Sequence, residues 1–155
     1  MRQVRLAAIS AAAFSPFGVL VTAPPDAARV NFTAPVTNLR PHARANLAIV
    51  HPPVTDLPIC VAVMERHCFS TQAFLPLNGV QAVLLVAPGG DDGPDLAAAQ
   101  AFLLPGDIGF SYHVGVWHAG MTLLGAAGAM VMLVHEDGSA GDTEFRPVPT
   151  IEIIV

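Results

Sequence analysis

Two short stretches of the chain carry side chains that could bind a metal ion or transfer a proton. In the first stretch, Glu65 and His67 are separated by one residue, and Gln72 follows after four more. In the second stretch, His113 and His118 are separated by four residues. Imidazole nitrogen combined with carboxylate or amide oxygen suits nickel, manganese, zinc or ferrous iron. The residue types therefore indicate a divalent metal site with open positions for a substrate.

The first stretch resembles the first metal-binding motif of the cupins, which is H-x-H, three or four residues, E, six residues, G. Here Glu65-x-His67 is followed at matching spacing by Gln72 and then by Gly79. Glu65 stands in place of the first histidine, and Gln72 stands in place of the glutamate. Because an amide is a weak metal ligand, Gln72 could instead contact the substrate directly.

The second stretch resembles the second cupin motif, which contains P-x-G-x-x-H. His113 replaces the proline, whereas Gly115 and His118 occupy the glycine and histidine positions. The two motifs pair across a jelly roll, so we expect His67 and His118 to lie within a few ångströms of each other inside the barrel. The candidate metal ligands are Glu65, His67, Gln72 and His118.

Short strands must position these residues, because 14 prolines and 13 glycines spread along the chain leave little room for long helices. Residues two apart on a strand share one face, so Glu65 and His67 should point one way and Arg66 the other. The expected strands are Leu47–Val50, Ile59–His67, Gln72–Leu77, Val80–Ala87, Ala101–Leu104, 109–114 and buried strands with tight bends between Ala119 and Val134. This pattern predicts an all-β fold, a cupin-like double-stranded β-helix or jelly-roll barrel.

One or two short helices and a tight turn are expected beside the strands. Ser10 can cap a helix over Ala11–Phe14, and Pro94 can open a second helix over Pro94–Gln100. The dipeptide Asn78-Gly79 is a hairpin-turn signal after the strand that ends at Leu77.

The composition limits what the chain can do. Its 155 residues predict a single domain over 1–155. A net charge of −5 and the absence of lysine argue against a nucleic-acid partner and exclude Schiff-base and P-loop mechanisms. The apolar run Ala119–Val134 is shorter than the roughly 20 residues of a membrane-spanning helix, so no membrane association is expected. Two cysteines, Cys60 and Cys68, are interpreted as free thiols of a cytoplasmic protein.

Three segments together resemble the ureidoglycolate lyases, also called ureidoglycolate hydrolases. They are ERH-x-x-x-TQAFLP-x-x-G from Glu65, GGDDGPDL from Gly89, and YH-x-x-VWH from Tyr112. The opening AISAAAFSPFG also looks like the first helix of that family. The resemblance implies a cupin-like barrel, usually a homodimer, that cleaves (S)-ureidoglycolate to glyoxylate and urea in allantoin and purine catabolism. It also implies a divalent metal such as nickel, with manganese or zinc as alternatives.

That activity needs a proton-transfer group and a group that holds the substrate carboxylate. We assign proton transfer to His113 and a catalytic role beside the metal to His118. Arg66 is the candidate carboxylate clamp, with a solvated or subunit-interface charge as the alternative interpretation. In this interpretation the partner is a small carboxylate molecule.

Two other functions stay open at this point. The chain departs from the family pattern at Asn78, His135 and Glu136, which is compatible with a non-catalytic cupin that binds a small molecule. Another cupin enzyme, an isomerase or a dioxygenase acting on a small keto or hydroxy acid, is the third hypothesis.

Overall fold

The computed structural model describes residues 1–34 and 36–155, and most of its regular structure is β-strand. The strands are β1 (Arg2–Ala8), β2 (Gly18–Val21), β3 (Arg44–Val50), β4 (Val54–Thr55), β5 (Ile59–Arg66), β6 (Gln72–Pro76), β7 (Ala82–Ala87), β8 (Gly89–Gly90), β9 (Gly93–Pro94), β10 (Gln100–Leu104), β11 (Gly109–Tyr112), β12 (Trp117–His118), β13 (Thr122–Leu124), β14 (Met130–Glu136) and β15 (Glu144–Ile154). One α-helix, α1 (Ala11–Phe14), and one turn of 3₁₀-helix (Leu96–Ala98) accompany them.

Two large sheets face each other. The first has eight strands in the order β10-β1-β15-β5-β12-β7-β13-β4, and the second has five in the order β2-β11-β6-β14-β3. Because β10 also pairs with β7, six strands of the larger sheet close into a ring. The predicted all-β, cupin-like jelly-roll barrel with one or two short helices is confirmed.

Strand β7 separates two hydrophobic cores, and this explains its uninterrupted apolar sequence. All six of its residues are buried. Leu84 and Val86 belong to the core between the two sheets, together with Phe110 of β11. Val83 and Leu85 belong to a second core inside the ring. A strand that is buried on both faces shows no polar alternation.

The two predicted helices have different outcomes. Helix α1 has the predicted bounds, and the Ser10 hydroxyl accepts a hydrogen bond from the Ala13 backbone N–H at 3.2 Å. The helix predicted over Pro94–Gln100 is wrong in length, since only Leu96–Ala98 is helical and Asp95 caps that turn. None of the helices among the described residues is long and apolar enough to cross a membrane.

The hairpin interpretation of Asn78-Gly79 is wrong. Gly79 does adopt a positive φ of 68°, which a tight turn requires. However, β6 and β7 belong to different sheets, so this turn carries the chain from one sheet to the other. Asn78 supports it, because its Oδ1 accepts a hydrogen bond from the Ala129 N–H at 2.8 Å.

Candidate metal centre

Strand pairing brings the two sequence motifs together on the larger sheet. Glu65 on β5 lies directly opposite His118 on β12. His67 follows the end of β5, and its ring lies over the ring of His118 with the centroids 5.6 Å apart. Both histidines are buried, at 6% and 2% exposure. The predicted proximity of His67 and His118 is confirmed.

Backbone carbonyls fix the orientation of both imidazoles. His67 Nδ1 lies 2.9 Å from the Asp142 carbonyl oxygen, and His118 Nδ1 lies 3.0 Å from the Val116 carbonyl oxygen. Because a carbonyl only accepts hydrogen bonds, each Nδ1 carries the proton and donates it. In the neutral form of each ring, Nε2 then holds the lone pair, which is the arrangement of metal-ligating histidines in proteins.

The Glu65 carboxylate completes the cluster. His118 Nε2 lies 3.4 Å from Glu65 Oε1. Neither the Nε2 of His67 nor that of His118 has a hydrogen-bond partner among the described residues, although both atoms are buried. A buried polar atom without a partner is costly, and a bound cation would remove that cost here.

The donor set fits a divalent transition metal. One ligand atom each from Glu65, His67 and His118 lies within 4.8 Å of the other two. Two neutral imidazoles and one carboxylate suit nickel, manganese, zinc or ferrous iron. Three protein ligands also leave coordination positions open for a small molecule.

The surroundings favour the protonation states that a metal needs. Burial and the neighbouring charge of His118 lower the pKa of His67, and they outweigh its hydrogen bond to Asp142 and the opposing charges of Glu65 and Glu136. Burial raises the pKa of the Glu65 carboxyl, but the contact with His118 and the charges of both histidines outweigh it and lower that pKa overall. At neutral pH the cluster therefore offers a neutral imidazole at His67 and a carboxylate at Glu65.

An open pocket of about 220 Å³ leads to this cluster. Its lining residues are Val50, His51, Pro52, Glu65, Gln72, Phe74, Met121 and Met132. Gln72 donates from Nε2 to the Met132 sulfur at 3.4 Å, whereas its buried Oε1 has no partner among the described residues. The pocket is thus apolar except for two side chains of the first motif and His51.

The family match agrees with this geometry. Residues 1–151 match the family model described as ureidoglycolate lyase. The chain belongs to the ureidoglycolate lyase family. A ureidoglycolate lyase from Pseudomonas fluorescens strain Pf-5 is 35% identical in an alignment 127 residues long, and the match covers 76% of this chain and 75% of that protein. One from Salmonella newport strain SL254 is 38% identical over 97 residues, 63% of this chain and 59% of that protein.

A solved structure with a related arrangement of strands is RmlC from Streptococcus suis in complex with dTDP-D-xylose. It has a TM-score of 0.44 and 11% identity, and the match covers 63% of this chain and 46% of that one.

Arg66 lies on the opposite side of β5 from the ureidoglycolate lyase motif residues Glu65 and His67, as strand alternation predicts. Its Nε donates to Glu144 Oε2 at 2.8 Å, and its guanidinium lies 4.8 Å from the centre of the Trp117 ring. Asp91 accepts a further hydrogen bond at 3.1 Å. The structure therefore holds Arg66 in a network of ion pairs and does not bring it to the pocket.

His113 is exposed and lies outside the cluster. Its Nε2 is 3.1 Å from the Ser15 carbonyl oxygen, so the ring rests on the segment after α1. The turn between β11 and β12, where Gly115 has a φ of 77°, separates it from His118. The structure brings Glu65, His67, Gln72 and His118 together and leaves His113 and Arg66 outside.

Sequence reasoning missed two polar residues near the family motifs, Asn46 and His51. Asn46 on β3 donates to Glu136 Oε2 on β14 at 2.7 Å, and the charge of Glu136 acts on His67. His51 follows β3 and reaches the pocket. Glu136, where the chain departs from the family pattern, is therefore paired with Asn46. Nothing in the local sequence around Asn46 or His51 indicates a functional site.

Proposed function

We propose that this chain is a ureidoglycolate lyase, which cleaves (S)-ureidoglycolate to glyoxylate and urea. The observation that carries the proposal is the convergence of Glu65, His67 and His118 in a chain of the ureidoglycolate lyase family, with Glu65 also lining an open pocket. Such a site can hold a small α-hydroxy acid, and ureidoglycolate is one.

The reaction has simple requirements. Ureidoglycolate carries its hydroxyl and its ureido nitrogen on the same carbon, beside the carboxylate. Cleavage breaks the carbon–nitrogen bond, turns the hydroxyl into the aldehyde of glyoxylate, and places a proton on the departing nitrogen. A catalyst must therefore hold the carboxylate and hydroxyl and move one proton.

Glu65, His67 and His118 would hold a divalent metal, for which nickel is our first candidate and manganese and zinc are the competitors. When bound, such an ion supplies positive charge that holds the carboxylate and lowers the pKa of the hydroxyl. The carbonyls of Asp142 and Val116 keep both imidazoles aimed at that position. The chain has no lysine, Arg66 is already paired, and no arginine is among the residues that line the described pocket, so neither of these side chains is placed to bind the carboxylate instead.

Gln72 is suited to recognise the ureido group. Its Oε1 is buried without a partner among the described residues. The Gln72 residue lines the pocket together with Glu65. An amide oxygen accepts hydrogen bonds, and the ureido group offers N–H donors. Met132 holds the other end of the amide, so the Oε1 atom is already oriented before substrate binds.

The proposal extends to one domain over 1–155, a homodimer and a cytoplasmic location. Strands near the two chain ends pair in register, with Arg2 opposite Ile151, which supports a single folding unit. Apolar side chains exposed on the outer face of the five-stranded sheet, such as Leu47 and Ile49, support a second copy as the partner. Cys60 is an exposed free thiol, which suits a reducing compartment.

The decisive experiment uses the purified chain after chelation and dialysis, with nickel, manganese, zinc or ferrous iron restored one at a time. We expect urea and glyoxylate to appear in equal amounts from (S)-ureidoglycolate, to stop after chelation and to return with one ion. His118→Gln should be inactive with every ion, whereas His42→Gln, an exposed histidine paired with Asp137, should be unaffected.

Two outcomes would contradict the proposal. Calorimetric binding of glyoxylate or oxalate without urea release under any metal would support the non-catalytic cupin. Oxygen consumption with iron, without urea release, would support a dioxygenase.

A further inference from the structure

His51 is the pocket residue to which no role has been given. It lies between β3 and β4, where the chain passes from the edge of the five-stranded sheet to the eight-stranded sheet. This crossing runs along the mouth of the pocket that contains Glu65 and Gln72.

The backbone around His51 is held firmly. Val50 pairs with Met130 on one side, and on the other side the Pro53 carbonyl accepts a hydrogen bond from the Leu123 N–H at 2.8 Å. Pro52 and Pro53 follow directly and restrict the backbone. The imidazole itself is exposed and makes no hydrogen bond with the described residues. His51 therefore offers a free proton-carrying group at a fixed place.

The other polar residues at the site already have partners or a place in the metal cluster. His67 and His118 donate their Nδ1 protons to backbone carbonyls, and their Nε2 atoms belong to the metal cluster. The Gln72 amide does not titrate, and the remaining lining residues apart from Glu65 are apolar. Glu65 is committed to the metal cluster. Imidazole is the side chain that accepts and returns protons near neutral pH.

We propose that His51 is a catalytic residue that carries the substrate's hydroxyl proton to the departing ureido nitrogen. This inference rests on the proposed lyase function, which requires such a transfer. The hydroxyl oxygen and the ureido nitrogen share one carbon, so a single imidazole can reach both atoms in turn.

The transfer balances without any further reactant. Neutral His51 takes the hydroxyl proton, and the oxygen electron pair forms the carbonyl of glyoxylate. The carbon–nitrogen bond breaks, and its electron pair stays on nitrogen. The protonated imidazole then gives its proton to that nitrogen, which releases urea and leaves His51 neutral again.

The test compares His51→Gln, which supplies a neutral polar side chain, with His51→Arg, which supplies a permanent positive charge. Both lack an imidazole, so we expect kcat to fall about 100-fold or more in each, while KM changes little. Added imidazole should restore part of the kcat of His51→Gln. His42→Gln serves as the matched control, because His42 is an exposed histidine paired with Asp137 away from the pocket.

Two results would overturn this role. A His51→Arg variant with normal kcat would show that only positive charge is needed, and a His51→Gln variant with raised KM and normal kcat would reduce His51 to a binding contact. The melting midpoint of each variant shows whether it has folded.

A second measurement separates this inference from the proposed function. Proton NMR of the histidine rings is recorded while glyoxylate and then urea are added to the metal-loaded chain, with His51 assigned from the His51→Gln spectrum. We expect the His51 signal to shift and the His42 signal to stay. An inactive wild-type chain would contradict the lyase proposal. An active chain whose His51 signal does not move would contradict only the role of His51.

Discussion

The imidazole of His118 lies flat on the phenol ring of Tyr112, with centroids 4.1 Å apart and planes 18° from parallel. His67 lies over the same imidazole at 5.6 Å, so the three rings form one stack. Tyr112 belongs to the core between the sheets. The orientation of the His118 ring is therefore fixed by core packing as well as by the Val116 carbonyl.

Tyr112→Phe and Tyr112→Ala should have opposite effects. The Tyr112 hydroxyl is buried and has no hydrogen-bond partner among the described residues. Removing only the hydroxyl should leave metal affinity unchanged and raise the free energy of unfolding by about 1 kcal/mol. Removing the whole ring should lower that free energy by about 3–5 kcal/mol and weaken metal binding. Urea denaturation and metal titration calorimetry measure both effects. Strong loss of stability in Tyr112→Phe would show that the hydroxyl makes a needed contact, and a stable Tyr112→Ala would contradict the packing role of the ring.

Glu65→Gln should weaken metal binding without unfolding the chain. The substitution replaces the carboxylate of the cluster with a neutral amide of the same shape, so a negative charge that would face the metal is lost. Loss of a direct ligand should lower affinity by more than the roughly 10–100-fold typical of outer partners. Titration calorimetry on the metal-free chain gives the affinity. Glu152→Gln is the matched control, because Glu152 on β15 contacts Gln3 away from the pocket. An equal loss of metal affinity in both variants would argue against a metal role for Glu65.

Local sequence predicted those parts of the fold that depend on local chemistry. Ser10 caps α1, and the apolar run of β7 is a strand with the predicted end at Ala87. The sequence did not indicate β1 or β15. The basic and alanine-rich start that forms β1 resembles a signal peptide, and Pro147 and Pro149 argue against a long strand at the C-terminal end. A register irregularity between Pro147 and Ile151 accommodates them in β15.

The site residues also divide into those whose position the local sequence predicts and those whose position depends on the fold. Alternation along β5 was enough to place Glu65 and Arg66 on opposite faces, and motif spacing was enough to pair His67 with His118. Proximity in sequence favoured His113, but the turn at Gly115 directs it outwards onto Ser15. His51 reaches the pocket only because β3 and β4 belong to different sheets, and no local pattern encodes that crossing.

Asp137→Asn should reduce the acid sensitivity of the fold. Hydrogen bonds from Ser139, the contact with His42 and the charge of Arg40 outweigh burial and hold the pKa of Asp137 below its usual range. A carboxyl with a lowered pKa in the folded state adds stability above its unfolded pKa of about 3.9, and that stability is lost as the pH falls below this value.

We therefore expect the wild-type melting midpoint to fall more steeply than that of Asp137→Asn between about pH 4 and pH 2. The variant should be the less stable protein at pH 7. Calorimetry across this range measures both slopes. Asp56→Asn is the control, because Asp56 is exposed and its carboxylate makes no ion pair with the described residues. Parallel curves for wild type and Asp137→Asn would contradict the linkage.

Leu47→Glu should convert the proposed homodimer into a folded monomer. Leu47 is 72% exposed and Ile49 is 55% exposed on the outer face of the five-stranded sheet, beside an apolar groove of about 250 Å³. Strand β3, which carries both residues, pairs only with β14 among the described strands, so its other edge has free backbone donors and acceptors. A second copy placed there would bury this apolar surface, and a carboxylate at position 47 would oppose that burial because it must lose its water.

Sedimentation at micromolar concentration should show a dimer for the wild type and a monomer for Leu47→Glu. The control Val54→Glu places the same charge on an exposed residue of β4, at the edge of the other sheet, and should remain a dimer. The melting midpoint of Leu47→Glu, extrapolated to low protein concentration, should match that of the wild type, because Leu47 packs outside both buried cores. A wild-type monomer at these concentrations would contradict the dimer, and a Leu47→Glu dimer would place the interface on another face.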